Sequence, residues 1–468
     1  MNTPPGQPGK PLYLLAVPLI ILAALLLAFF FRPDSPPAPT PEIPEESPRS
    51  LAPLGSAPDW SQLDVFQKAM PRSEFLRLLD TVYTREQAWA DWITLADDHA
   101  LIRTDARHPD EHYRLDFARA VHEMPSRHFQ SADPQPRAVD FQSADLQSRA
   151  VGEMPSGYFQ PAGLQKKKPR HGWAWRDPSQ LPPAPAGKAL AGIHIALDPG
   201  HIGGDFAQIE ERHLVYGDHD PIREGEMTLL TCQKLKPLLE NLGATVTLVR
   251  SENQPVTSAR PANFHNAATP LKLAERLFYR TAEILARAEL VNQTIQPDLV
   301  LCLHFNASAS PVPLPGQDFH LLLNGTYHSS ELVHDDERFQ MLARLLSRTY
   351  EAELPLARHF ITAFQNHTGL PAYQYPASNP FAQNLDANPY LWARNLLANR
   401  SYHCPVLFFE PYTMNSPDFI ARHRLGDYPG TRLIDGIPRR SLYAEYALAI
   451  RDGLLAWRES NDKPDQTR

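Results

Sequence analysis

Residues 188–460 read as an α/β domain built on a mostly parallel, twisted sheet flanked by helices on both faces. Three observations predict it. Runs that are apolar almost throughout, 193–197, 245–249, 298–303, 319–323 and 405–409, have the length of strands buried on both sides. Between them lie segments with apolar residues at helical spacing, 226–242 (Leu229, Leu235, Leu238, Leu242), 271–290, 337–350 and 441–457. The alternation of strand and helix is itself the pattern of parallel strands joined by crossovers. A small α+β region and an N-terminal transmembrane helix are expected ahead of this domain.

Residues 1–10 form a short cytoplasmic tail. Residues 11–31 are uncharged and apolar, close to the ~20 residues a helix needs to cross a bilayer. A cleavable secretory signal has a shorter apolar core of about 7–15 residues and a small-x-small exit. This run leaves instead through Phe29-Phe30-Phe31-Arg32-Pro33, so it reads as an uncleaved anchor in the lipid bilayer. Residues 32–58, rich in Pro, Ser and Glu, cannot bury enough surface to fold and make an extended spacer.

Residues 59–119 form the small α+β region. Ser73 is expected to cap a helix carrying Phe75, Leu76, Leu79 and Tyr83. A second short helix covers 85–92, and 100–104 and 111–117 read as two strands. Residues 120–187 read as a low-complexity linker with an internal duplication. Phe129–Val139 recurs as Phe141–Val151, and Glu123–Gln130 as Glu153–Gln160. Two copies do not make a solenoid, so a disordered insertion is expected. Residues 461–468 are a tail.

A net charge of -8 gives no basic footprint, which excludes nucleic acid as the expected partner. Cys232, Cys302 and Cys404 are too few and too irregularly spaced for a disulfide framework or a thiolate zinc site. A Cys302–Cys404 bridge stays open.

Four positions carry chemistry. The first strand breaks at Pro199-Gly200 and places His201 at its carboxyl end, where ligands collect in α/β sheets. Glu224 opens an amphipathic helix; alone, it would simply complement the helix dipole. The run 299–303 ends in His304, and 405–409 ends in Glu410, a carboxylate costly to bury unless paired or functional.

Together these residues resemble the zinc-dependent N-acetylmuramoyl-L-alanine amidases of the amidase type 3 family. That family shows D-P-G-H-G-G, then E-x4-L-x5-L-x3-L-x3-G, then S-I-H-x-N-A, then P-A-V-L-V-E. Here Asp198 through Gly204 carries the first, with Ile202 inserted between His201 and the glycine pair. Glu224, Leu229, Leu235, Leu239 and Gly243 satisfy the second at every offset, whereas Glu226 would miss them all. Leu303–Ala307 and Pro405–Glu410 carry the third and fourth. Arg400 matches an arginine frequent ten residues before the last Glu, and Arg280 resembles the arginine preceding the third motif.

The resemblance implies an amidase-like catalytic domain and a zinc ion (Zn2+) held by His201, Glu224 and His304. It implies Glu410 as catalytic base and acid, with Arg400 orienting it or stabilising charge on the carbonyl oxygen. The 201–224 loop is longer than in the family and carries Asp205, Glu210, Glu211 and His213 as rival ligands. The implied substrate is peptidoglycan, cut between N-acetylmuramic acid and L-alanine. With the anchor, this places the domain on the extracytoplasmic side of the cytoplasmic membrane; no activating partner is identified. Two other readings remain: a non-catalytic peptidoglycan-binding or regulatory module, and a zinc peptidase acting within the stem peptide.

Overall fold

The computed structural model describes residues 57–119, 173–181, 184–266, 269–308 and 312–462, all within the compact unit Pro48–Arg468. The expected anchor at 11–31, most of the spacer, the duplicated stretch at 120–172 and the last residues of the tail lie outside them. Among the described residues no helix is long and apolar enough to cross a membrane.

The N-terminal region is α+β. A 3-10 helix, Trp60–Phe66, is capped by Asp59, whose side chain accepts from Ser61 N. The helix Arg72–Leu78 begins at Pro71 without a side-chain cap, so Ser73 does not play that part. Pro71, with no N–H to satisfy, suits a helix start. Strands β1 (Ile93–Leu95), β2 (His99–Arg103) and β3 (His112–Asp116) form an antiparallel meander. Its core is not private. Leu63, Phe75, Leu79, Ile102 and Leu115 pack with Phe339, Leu342 and Leu345 of the helix Asp335–Leu346 in one cluster. Gly325 lies so close to the Val82 carbonyl that a Cβ would overlap it, and Arg348 Nη1 closes the junction 2.6 Å from Glu74.

The main domain is a seven-stranded sheet. Its strands are β4 (His194–Pro199), β7 (Thr245–Leu248), β8 (Leu299–Leu303), β9 (Phe319–Leu323), β10 (Ala382–Asn384), β11 (Leu391–Arg394) and β12 (Val406–Pro411). They are ordered β10-β11-β9-β12-β8-β4-β7. Two small ladders complete the set, β5 (His213–Leu214) with β6 (Ile222–Arg223) and β13 (Arg432–Ile434) with β14 (Ile437–Arg439).

Strands β7, β4, β8 and β12 are mutually parallel, but β9 runs antiparallel to β12 and β10 antiparallel to β11. The sheet is therefore mixed, with four of its six pairings parallel, as expected of a mostly parallel sheet, and two antiparallel. The cause is the 304–318 connection, with Pro311, Pro313 and Pro315 and no helical periodicity. A parallel return needs a crossover, usually a helix. Without one, β9 starts from the edge where β8 ended and runs back.

Both faces are covered. On one, Ile195, Leu197, Leu301, Leu407 and Phe409 pack against the helices Glu224–Asn241, Thr349–Thr368 and Leu442–Asp462. On the other, Ala196, Val300, Cys302 and Phe408 meet Ala288, Leu290 and Val291 from the helical run 271–295, which alternates α and π turns. The three cysteines form no disulfide.

Two segments depart from expectation. The stretch 173–181, inside the expected linker, is seated on the domain: Trp173 is buried, Trp175 Nε1 donates to Ser347 O, and Arg176 pairs with Asp298. The helix expected at 337–350 ends at Leu346, and a separate helix, Thr349–Thr368, follows with Pro355 inside it. An interior proline costs about 3 kcal/mol, a cost offset by the buried Leu356, Phe360, Ile361 and Phe364.

Candidate metal centre

Because β12, β8 and β4 are neighbouring parallel strands, their carboxyl ends deliver three side chains to one rim. His201 follows β4, His304 follows β8, and Glu410 lies near the end of β12. His304 N donates to Phe409 O at 3.0 Å, and Gly200 N donates to Leu303 O at 2.8 Å, so the ladder continues past the strands and fixes the three in register. Glu224, the first residue of its helix, supplies the fourth group.

His201, Glu224 and His304 offer ligand atoms that all lie within 4.8 Å of one another. Among the described residues this is the one such group of three or more His, Cys, Asp or Glu side chains. Glu224 stands between the imidazoles: Oε2 is 3.2 Å from His201 Nε2 and Oε1 is 3.1 Å from His304 Nδ1. Its Oε1 also accepts from Phe305 N at 3.1 Å, while Arg212 Nε lies 3.1 Å from Oε2. Two imidazoles and one carboxylate are an N/O donor set that fits a zinc ion. Of the rival ligands, Asp205, Glu211 and His213 stay out of the group. Glu211 pairs with Lys272 (2.9 Å) and Arg280 (3.6 Å), and His213 is in the β5–β6 ladder. Glu210 lies behind His201 rather than beside Glu224.

Backbone economy brings these groups together. A Cβ on Gly200 would overlap the His304 ring, and one on Gly225 would overlap Gly203 N, so the turn after β4 and the helix start approach as only glycines allow. His201 adopts φ +57, a left-handed conformation unfavourable for a side-chain-bearing residue. It is held there by buried donors. Arg287 donates to Pro199 O (2.7 Å), His201 O (2.9 Å), Asp198 (2.9 Å) and Glu283 (2.7 Å). Arg250 donates to Pro199 O (3.1 Å) and Gly225 O (2.5 Å), and Tyr402 OH to Asp198 Oδ2 (2.5 Å). The His304 ring is held differently, stacked on Phe408 with centroids 4.2 Å apart.

Electrostatics separate the carboxylates. Burial would raise the Glu224 carboxyl, but His201, His304 and Arg212 outweigh it and hold it well below the usual range. Burial pushes Glu410 up to about 7, opposed by His304 and reinforced by the negative Glu224. Burial also pushes His201 well below a free imidazole, opposed by the negative Glu224. One carboxylate is thus poised to stay ionised and the other to exchange protons near neutrality.

The arginines differ from expectation. Arg400 does not join Glu410: it donates to Gln340 (2.7 Å) and Asn395 (3.1 Å) and lies 3.3 Å from Glu337. The guanidinium acting on Glu410 from its own side of the sheet is Arg394, over the Tyr375 ring. Likewise Arg287, not Arg280, reaches the site. A Glu283–Arg287 pair at i,i+4 amid Ala282, Ala286 and Val291 was the available signal, since charges on an apolar helix face imply a buried partner. Arg212 had no such signal.

Residues 195–417 match the family model described as N-acetylmuramoyl-L-alanine amidase. Among solved structures, the chain is similar to the N-acetylmuramyl-L-alanine amidase Ami1 from Mycobacterium smegmatis, at 16% identity and TM-score 0.34, covering 58% of this chain and 99% of that one. It is also similar to the CwlD amidase from Clostridioides difficile, solved in complex with the GerS lipoprotein, at 14% identity and TM-score 0.35, covering 57% and 100%. A third is amidase AmiC2 of Nostoc punctiforme, at 12% identity and TM-score 0.33, covering 57% and 98%. No curated protein matches the chain. The four motifs and the family model meet on the same residues, within the segment 195–417 that matches N-acetylmuramoyl-L-alanine amidase.

Proposed function

We propose that the protein is a zinc-dependent peptidoglycan hydrolase that cleaves the amide between the lactyl group of N-acetylmuramic acid and L-alanine. The observation that carries this reading is the convergence of His201, Glu224 and His304 with Glu410 beside them on the next strand. Zinc held by the first three would supply Lewis acidity toward the scissile carbonyl and make water more acidic. Glu224 stays ionised to hold the charge. Glu410, raised to about 7, accepts a proton from the attacking water and passes it to the departing amine of L-alanine. Arg212 and Arg394 flank the two carboxylates and offset charge that develops between them.

The apolar segment 11–31 and the proline-rich spacer suit a domain tethered on the extracytoplasmic side of the membrane, where this substrate lies. Incubation with purified peptidoglycan and mass spectrometry of the fragments tests the bond: free stem peptides starting at L-alanine are expected, and cuts within the stem would establish a peptidase instead. Glu410→Ala is expected to lower turnover at least ~100-fold, the lower bound of the usual ~10²–10⁴ range for general acid–base groups, while one equivalent of zinc stays bound. Retained turnover would overturn the role of Glu410, and absence of zinc from the wild type would favour a wall-binding module.

A further inference from the structure

We propose that Glu210 is a positioning residue for His201, its carboxylate gripping the turn that presents the imidazole and facing the ring nitrogen opposite the ligand cluster. The inference rests on the metal reading above.

The side chain of Glu210 is 2% exposed, and its single ionic contact among the described residues is with His201, whose Nδ1 lies 3.5 Å from Oε1. The other ring nitrogen, Nε2, is the one that faces Glu224. Both Glu210 oxygens accept from Ile202 N at 2.9 Å, and Oε2 accepts from Gly203 N at 3.1 Å. One carboxylate therefore holds the two N–H groups that follow His201 and faces its ring. Burying an acid with no arginine or lysine in contact is unfavourable, so these three partners are what keep it there. Together they fix a residue whose own backbone is in the left-handed region.

An imidazole that binds a metal through one nitrogen is oriented by what its other nitrogen donates to, and a carboxylate there fixes both the tautomer and the ring plane. Glu210 has that position relative to Nε2. The loop between His201 and Glu224 supplies this acid, and the N–H groups of Ile202 and Gly203 donate to it.

The test measures zinc affinity of the full-length protein by competition with a chromophoric chelator, alongside the visible spectrum of the cobalt(II)-loaded form. Wild type and His201→Ala come first. If wild type binds no zinc, or His201→Ala binds it equally well, the metal reading fails. Given zinc binding through His201, Glu210→Gln is expected to weaken it about 10–100-fold and to alter the cobalt spectrum, while the melting transition stays cooperative. Glu210→Asp, which keeps the charge but is too short to reach both turn and ring, is expected to lose less. If Glu210→Gln does not fold, Glu210→Asp decides. Wild-type zinc affinity and an unchanged cobalt spectrum in either folded variant would overturn the proposal.

Discussion

The two halves of the candidate site are built by different physics. His304 and Glu410 ride on strands: ladder hydrogen bonds continue past them, and the His304 ring lies against Phe408. His201 rides on a turn, one residue past the last ladder bond of its strand, Gly200 N to Leu303 O. Its carbonyl and that of Pro199 are held instead by Arg287, which Asp198 and Glu283 keep in place, with Tyr402 bonded to Asp198 and Arg250 adding a second bond to the Pro199 carbonyl. A ligand on a strand inherits its position from the sheet. A ligand on a turn needs a dedicated buried charge network, and that makes its half of the site the more fragile one.

The largest expected effect breaks the turn side. Arg287→Met leaves Asp198 and Glu283 buried without their cation, frees the His201 carbonyl and leaves that of Pro199 to Arg250 alone, so a loss of about 3–5 kcal/mol in unfolding free energy is expected from denaturant titration. A loss under about 1 kcal/mol would mean the network is ornamental. Next comes the metal, which bridges the two halves. Zinc at 100 times its dissociation constant is expected to add about 2.7 kcal/mol of stability by mass action, a gain that chelation reverses and His201→Ala abolishes. An equal gain in His201→Ala would sever the turn from the centre. The smallest effect sharpens the strand side. Phe408→Leu keeps the ladder and an apolar side chain in the core but removes the ring stacking, so about 1 kcal/mol is expected. A cost comparable to that of Arg287→Met would erase the contrast.

The same contrast marks what the sequence makes legible. Strand-borne groups announce themselves, because an apolar run ending in His304 or Glu410 needs no tertiary knowledge to be noticed. The glycines around His201 are equally visible, since close approach leaves no alternative to them. Long-range side-chain reach is not. Arg400 sits at a plausible offset from Glu410 but turns to Glu337, and Arg280 lies two helical turns from the arginine that reaches the turn. Spacing along the chain says nothing about which guanidinium a fold aims where.

Direction of strands was hidden for a related reason. An apolar run reads the same in either sense, and only the missing crossover between β8 and β9 distinguishes them. The helix Thr349–Thr368 was masked by Pro355, a local breaker overridden by burial of its apolar face. Trp173 and Trp175, inside an otherwise polar linker, were the sign that this stretch docks.

The core shared between the N-terminal meander and the helix Asp335–Leu346 sets the smallest unit that can be handled in isolation. Trimming the polypeptide to the boundaries of the matched family would strip the cover from Phe339, Leu342 and Leu345 and leave a greasy stripe facing water. Such a fragment would be prone to clump, and its silence in an assay would say nothing about the chemistry of the intact molecule.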